Sequence, residues 1–367
     1  MAVISPNRRV RKTPFSVGVE AAGVGGYTVY NHMLLPTFFE SVEADCAHLK
    51  RHVQVWDVSC ERQVQIKGPD ARRLLQILTP RDLARLSPDR CLYVPITDQG
   101  GGMINDPVAL QAGPDTYWVS IADSDLLLWV LAIAGTGGFD AEVCEPDVSP
   151  LAVQGPKAED LMARVFGDTV REIRFFGCKR LTFGGQNWIV ARSGWSKQGG
   201  FEIYVEGSEH GMELWSALFA AGEDLNVRAG CPNNIERIES GLLSYGSDMT
   251  RDNTPLECGL DRYVSANQLG HCFGGRALRE QIEAGGPERQ IRPIVVEGEI
   301  GPCTGSWPLL SEGREVGQVA SAAFSPEFGV NVAIGMVERS HWAPGTRIEI
   351  ETEHGMRRAV VQERFWR

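Results

Sequence analysis

With 367 residues and 43% hydrophobic side chains, the chain is long enough for about two or three domains with true cores, and none of its apolar runs approaches the roughly 18–20 residues of a membrane span. A formal charge of −11, from 36 basic and 47 acidic side chains, argues against a general nucleic-acid binder, which needs a basic face to displace counterions. Nine cysteines with neither a C-x-x-C pair nor zinc-like spacing read as reduced thiols in a cytoplasmic protein without a metal site.

The opening residues, MAVISPNRRVRKTPF, carry the basic cluster Arg8-Arg9-Val10-Arg11-Lys12. No apolar stretch or small-residue cleavage site follows, so no secretory signal is read, and the cluster is taken as a solvated arm. Thr37-Phe38-Phe39-Glu40 has the form of a capping box opening a helix toward His52. Phe39, Val42, Cys46 and Leu49 recur at helical spacing and give it one buried face. His48 and His52, one turn apart, read as helix-surface residues because no further ligand stands at metal-site spacing.

The next segments form a sentence that is written twice. Gln63–Ile66 predicts a strand, Gly68-Pro69-Asp70 a turn, and Ala71 onward a helix carrying Leu74, Leu75 and Leu78. Leu151–Phe166 repeats the order around Gly155-Pro156, which indicates an internal duplication. Each unit is followed by a hairpin and a helix. In the first, Leu92–Ile96 and Met103–Leu110 flank Gly100-Gly101-Gly102, and Tyr117–Ile121 leads into a buried helix over 124–134. In the second, Asn187–Ala191 and Phe201–Val205 flank a glycine-flexed turn, and Gly211–Ala221 is helical. Strands and helices that segregate in this way predict an α+β fold and exclude a parallel doubly wound sheet. From about Gln290, the short strands Arg292–Glu297, Val316–Phe324, Asn331–Val337, Arg347–Thr352 and Arg358–Arg364 predict a separate, barrel-like β domain over 290–367. Gly23-Val24-Gly25-Gly26 and Gly274-Gly275 lack the strand and helix that a dinucleotide site requires, so neither flavin nor nicotinamide is expected.

The turn of the second hairpin, RSGWSKQGGFEIY over Arg192–Tyr204, sets Trp, Lys, Glu and Tyr around a glycine-rich bend. It reads either as an ordinary hairpin with one wet face or as a pocket for a small cation that also carries a carboxylate, beside a flat heterocycle.

Arg11-Lys12-Thr13-Pro14-Phe15, Trp56-Asp57-Val58-Ser59, Gly101-Gly102-Met103-Ile104-Asn105-Asp106, Gly200-Phe201-Glu202-Ile203, and Gly241–Gly246 followed by Asn253–Glu257 together resemble the glycine-cleavage T-protein family of tetrahydrofolate-dependent aminomethyl and methyl transferases. The likeness spans nearly the whole chain in order. It implies a three-domain α+β fold around a central folate pocket, with the C-terminal β domain following a discontinuous folate-binding region, 1–289. Within that region 1–52 goes with 151–250, and 53–150 with 251–289. Tyr30–Pro36, Gly102–Pro107 and Gly194–Gly199 resemble the branch of the family that demethylates dimethylsulfoniopropionate. The implied reaction moves one sulfonium methyl to tetrahydrofolate and releases 3-methylthiopropionate.

Two departures from the aminomethyltransferase pattern remove negative charge: Asn105 replaces the first acidic residue of Gly-Gly-x-x-Asp-Asp, and Trp195 with Lys197-Gln198-Gly199 replaces Tyr and Gly-Glu-Asp. Both speak against aminomethyl transfer from a lipoyl carrier protein. That activity, N-methyl transfer from a betaine or dimethylglycine, and a non-catalytic folate-binding accessory role stay open as alternatives, the last weakened by the lack of a cysteine near Lys197. Absence of a fused flavin oxidase favours redox-neutral transfer, and a homodimer is compatible with the family.

The resemblance also assigns roles. A dimethylsulfonium has a permanent charge and no N–H, so aromatic faces must hold it, each worth about 0.5–2 kcal/mol. Trp195 and Tyr204 are the candidates, with Tyr30 further off and Trp118 better read as packing. Ser120 and Tyr204 would donate to the propionate; Lys197 would pair with it or stand as a solvated turn lysine. Asp106, past a Gly-Gly turn, would take the proton lost by the pterin nitrogen, against a plainer reading as a strand-end aspartate before Pro107. Glu202 shares a strand face with Tyr204 and would accept the two donors of the pterin's amino-pyrimidinone edge, against a reading as a charge on a wet hairpin face. Tyr93 would stack on or bond to the pterin, and Arg237 either faces the folate or is structural.

Overall fold

In a computed structural model, residue 7 and residues 9–367 are described. Arg8 of the basic cluster lies outside them. The chain divides into two compact units. The first runs from the N-terminus to Leu75 and adds Leu83–Tyr93 and Pro107–Asn233; the second comprises Gln76–Asp82, Val94–Asp106 and Asn234–Arg367.

The duplication is explicit in the first unit. One sheet has the order Glu142–Cys144, Gln63–Lys67, Thr116–Ser120, Val108–Gly113, Leu92–Tyr93. The other has Val53–Asp57, Val148–Gln154, Gly200–Glu206, Gln186–Ala191, Cys178–Phe183 in the same relative places, with Val227–Gly230 added in parallel at its edge. The first strand of each series is exchanged: the one preceding the second repeat pairs in the first sheet, and the one preceding the first repeat pairs in the second. This exchange ties both repeats into one unit.

The repeated Gly-Pro turns have a steric cause. Gly68 and Gly155 take φ of +137° and +120°, and a Cβ would stand 2.6 Å from the Asp140 carbonyl oxygen and 2.4 Å from that of His52. Glycine alone fits both the dihedral and the approach.

Strand Gly200–Glu206 alternates Phe201, Ile203 and Val205 with Glu202 and Tyr204. The apolar set enters a core shared with Leu161 and Leu214 of the helices Ala158–Phe166 and Gly211–Ala221. The opposite face is not wet. It is covered by the other sheet, so that Tyr204, Ile189 and Ala191 pack on Trp118 and Leu110. Fully burying an aliphatic side chain stabilises by about 1.5–3 kcal/mol, so a strand buried on both faces is firmly placed.

Several local expectations are corrected. Thr37 lies in strand Met33–Phe38; the helix is Val42–Leu49, and its cap is Ser41, whose Oγ accepts from Ala44 N–H at 3.1 Å. His48 is buried, its Nε2 2.9 Å from the Asn226 carbonyl oxygen, and the His52 ring lies 4.9 Å away at a 34° tilt. The apolar helix, Leu126–Thr136, buries Leu126 and Val130 but leaves Leu128 and Leu131 exposed by 63% and 41%. Arg11 and Lys12 of the expected arm are paired with Glu145 and Glu20, both at 2.9 Å.

The second unit holds the short pair Ile96–Thr97 and Met103–Asn105, the helices Asn234–Ser240 and Gly275–Glu283, and a closed barrel of six strands between Arg289 and Val361. The barrel strand missed in the sequence, Trp307–Ser311, contains Pro308 and pairs through a bulge at Leu309/Leu310, both of which blur a period-two pattern. Among the described residues no helix is long and apolar enough to cross a membrane, and no metal-ligand cluster occurs.

Candidate active site

In the first unit the seam between the two sheets carries a polar cluster. Ser120 closes strand Thr116–Ser120 opposite Gln63, whose Nε2 donates to Ser120 Oγ at 2.8 Å. Tyr204 is fully buried, its ring 6.4 Å from that of Trp118. Its hydroxyl lies beside Ser120 and Glu202 yet makes no well-aligned hydrogen bond, and Gln63 Oε1 is likewise buried without a partner. Two unsatisfied polar atoms flanking one serine are costly, about 1–3 kcal/mol each, and mark a place where a ligand group would complete the bonding. Burial raises the Tyr204 pKa, with Glu202 reinforcing it, so the phenol stays a neutral donor.

Glu202 is buried, and Ser193 Oγ donates to its Oε2. Burial raises the carboxyl's pKa, while Ser193 and Tyr204 pull it back down. It therefore shares one strand face with Tyr204, and that face points to the seam.

Trp195 is half-buried and Lys197 exposed, both on the turn between Gln186–Ala191 and Gly200–Glu206. The turn is organised by a residue the sequence did not single out. Gln154, buried at the end of its strand, donates through Nε2 to the Ser193 carbonyl at 3.1 Å and accepts from Ser196 Oγ at 2.8 Å. Gly194 has φ +142°, and a Cβ there would collide with Gln154 Nε2 at 2.0 Å. The signal was present as the last polar residue before the repeated Gly-Pro turn.

Tyr30 is half-buried at the end of strand Gly26–Tyr30, before a turn in which Asn31 and His32 have φ of +48° and +62°. Asn31 Nδ2 donates to the carbonyls of Cys60 and Ala122 at 3.0 Å each, and its Oδ1 accepts from Ser124 N–H at 3.1 Å. It thereby fixes the loop that leaves Ser120. Tyr93 is half-buried on strand Leu92–Tyr93 and pairs with Val108. Trp118 is buried, its Nε1 donating to Gln65 Oε1 at 3.0 Å, in keeping with packing.

In the second unit, Asp106 follows strand Met103–Asn105 and is half-buried. The strand is held at both main-chain groups of Met103: its N–H donates to the Asn253 carbonyl at 2.8 Å, and its carbonyl accepts from the Tyr245 hydroxyl at 2.9 Å. Burial, with the nearby Asp106 charge, pushes the Tyr245 phenol up to about 12, which keeps it a donor. The preceding turn is built on Asp98, which accepts from Gly100 and Gly102 N–H at 2.8 and 3.0 Å and pairs with Arg251 at 2.8 Å. Arg237 is buried in a polar network. Its Nη1 pairs with Asp248 at 2.6 Å, its Nη2 donates to Ser321 Oγ at 2.6 Å, and its Nε donates to Asn234 Oδ1 at 2.9 Å. These bonds clamp helix Asn234–Ser240 to the barrel.

Ser120, Glu202, Tyr204 and the Trp195 turn thus gather in the first unit around the seam, and Asp106 and Arg237 belong to the second. A two-sheet duplicated unit followed by a closed barrel defines the class. Residues 18–268 match the GCVT N-terminal domain and residues 289–366 the glycine cleavage T-protein C-terminal barrel domain. The chain belongs to the glycine-cleavage T-protein family. It is 68% identical over 367 residues, the full length of both chains, to dimethylsulfoniopropionate demethylase DmdA of Ruegeria pomeroyi. It is 29% identical over 347 residues to an aminomethyltransferase of Bacillus cereus, covering 93% of this chain and 94% of that one. The crystal structure of glycine cleavage system aminomethyltransferase T from Bartonella henselae has the same fold, with a TM-score of 0.86 at 23% identity over 97% of this chain and 98% of that one.

Proposed function

We propose that the chain demethylates dimethylsulfoniopropionate, passing one methyl to N5 of tetrahydrofolate to give 5-methyltetrahydrofolate and 3-methylthiopropionate. What carries the reading is identity of 68% along the entire length of the demethylase DmdA, joined to a polar seam that has an unsatisfied hydroxyl at Tyr204.

The pterin nitrogen attacks the methyl carbon, the C–S bond pair returns to sulfur, and the sulfonium leaves as a neutral thioether. The N5 proton is then lost. Because the donor is already activated, orienting the two substrates supplies most of the acceleration, for which about 7–11 kcal/mol is within reach. Trp195 offers an aromatic face to the sulfonium. Ser120 and Tyr204 donate to the propionate, and Lys197 compensates its charge. Glu202 accepts from the pterin edge, with Tyr93 against the ring. Asp106 accepts the proton. Buried polar atoms awaiting partners at Tyr204 and Gln63 fit such a ligand set. Action in the cytoplasm, without a lipoyl carrier protein, and assembly as a homodimer belong to the same reading.

Turnover tests it. The sulfonium should be consumed only with tetrahydrofolate present, with one methylated folate formed per thioether. Turnover of glycine betaine or dimethylglycine with none of the sulfonium would move the activity to N-methyl transfer; need for a lipoyl protein would move it to glycine cleavage.

A further inference from the structure

Arg174–Gly177 is a turn closed by the Gly177 N–H on the Arg174 carbonyl at 2.6 Å. Its third residue is Phe176, with φ of +58°. A hydrogen-bonded turn with positive φ at that position ordinarily takes Gly or Asn, since a bulky side chain there is strained. Glycine is available one residue on, yet Gly177 is not among the positive-φ glycines. The chain has placed the strained dihedral on the aromatic residue.

The main chain of Phe176 is held from two sides. Its N–H donates to the Arg192 carbonyl at 3.0 Å, and its carbonyl accepts from Cys91 N–H at 3.0 Å and Cys91 Sγ at 3.3 Å. Arg192 begins the turn that carries Trp195, and Cys91 is two residues before Tyr93. Phe176 therefore staples together the two segments that bear candidate ligand residues. Its side chain is half-buried and packs on the cluster that contains Tyr204 and Trp118. Strained conformations of this kind persist where the surroundings enforce them and gather at ligand sites.

The geometry points to Phe176 as a specificity-determining residue: its ring is a further aromatic wall for the sulfonium, selecting a cation over a neutral group of the same shape. This rests on the proposed substrate. The probes are dimethylsulfoniopropionate and its neutral carbon isostere, 4-methylpentanoate, titrated calorimetrically into the full chain. Phe176→Leu should weaken the sulfonium by about 2–30-fold, the range of one cation–π contact, and the isostere by less than about twofold. Phe176→Trp should hold the sulfonium as tightly as Phe or more tightly, with the isostere unchanged, and carries the test if F176L does not fold. Equal weakening of both probes, or of neither, would overturn the assignment and leave the demethylase reading intact. If the unsubstituted chain binds no sulfonium, the reading itself falls and the assignment with it.

Discussion

Tyr204 is the residue where stability and function separate. A buried hydroxyl without a well-aligned hydrogen bond adds little to the folded state against its desolvation cost. Tyr204→Phe should therefore leave the melting temperature unchanged or raise it, while the dissociation constant for the sulfonium rises several-fold. A lower melting temperature with affinity unchanged would make Tyr204 a packing residue. Trp195→Ala should weaken sulfonium binding and leave folate binding nearly unchanged, as titrations of each ligand would show. Equal loss for both would mark Trp195 as support for the turn. Asp106→Asn should slow turnover by about 10²–10⁴-fold with both substrates still bound, the scale of a lost general base. The residue types and the strand face shared by Glu202 and Tyr204 were legible in the sequence, because period-two alternation fixes which neighbours agree. That this face lies under a second sheet was not, since burial on both sides depends on strands distant in sequence. The bonding of Arg237 was hidden for a related reason: its partners Asp248 and Ser321 come from a loop and a barrel strand.

At the scale of elements, the duplicated turns are the strongest constraint. A Cβ at Gly155 would meet the His52 carbonyl oxygen at 2.4 Å. Gly155→Ala should destabilise the chain by more than about 1–3 kcal/mol, measured by denaturant unfolding. Gln154 is gentler, since its contacts shape a turn more than a core. Gln154→Ala should raise KM for the sulfonium more than it lowers kcat, because it loosens the loop that presents Trp195. The two Gly-Pro pairs suffice to disclose the repeat, and the order of strands and helices follows from it. The strand exchange is invisible along the chain, since a linear pattern does not say which copy a flanking strand will join. The start of helix Val42–Leu49 was displaced because Thr37, which imitates a cap, is claimed by the hairpin Gly26–Tyr30 and Met33–Phe38.

For the molecule as a whole, pH reports on buried groups. Burial lowers the His48 pKa from its ordinary 6.5 to about 4, with Arg228, His52 and Lys157 adding to the effect. A folded-state value below the unfolded one means the unfolded chain binds the proton more readily. Stability from this group is present above about 6.5 and lost as pH falls toward about 4. The melting temperature should fall across that window, and less steeply in His48→Gln; identical slopes would remove His48 from the acid limb. Glu202 runs the other way, its raised value favouring the protonated fold as pH drops.

Fate of the methyl group is the most direct test. With both sulfur methyls labelled by carbon-13 and tetrahydrofolate supplied, the label should appear as an intact three-proton methyl on N5 of the folate, one for each labelled thioether released. Label in a methylene bridge between N5 and N10, or none on folate while thioether accumulates, would contradict methyl transfer as the work of this chain.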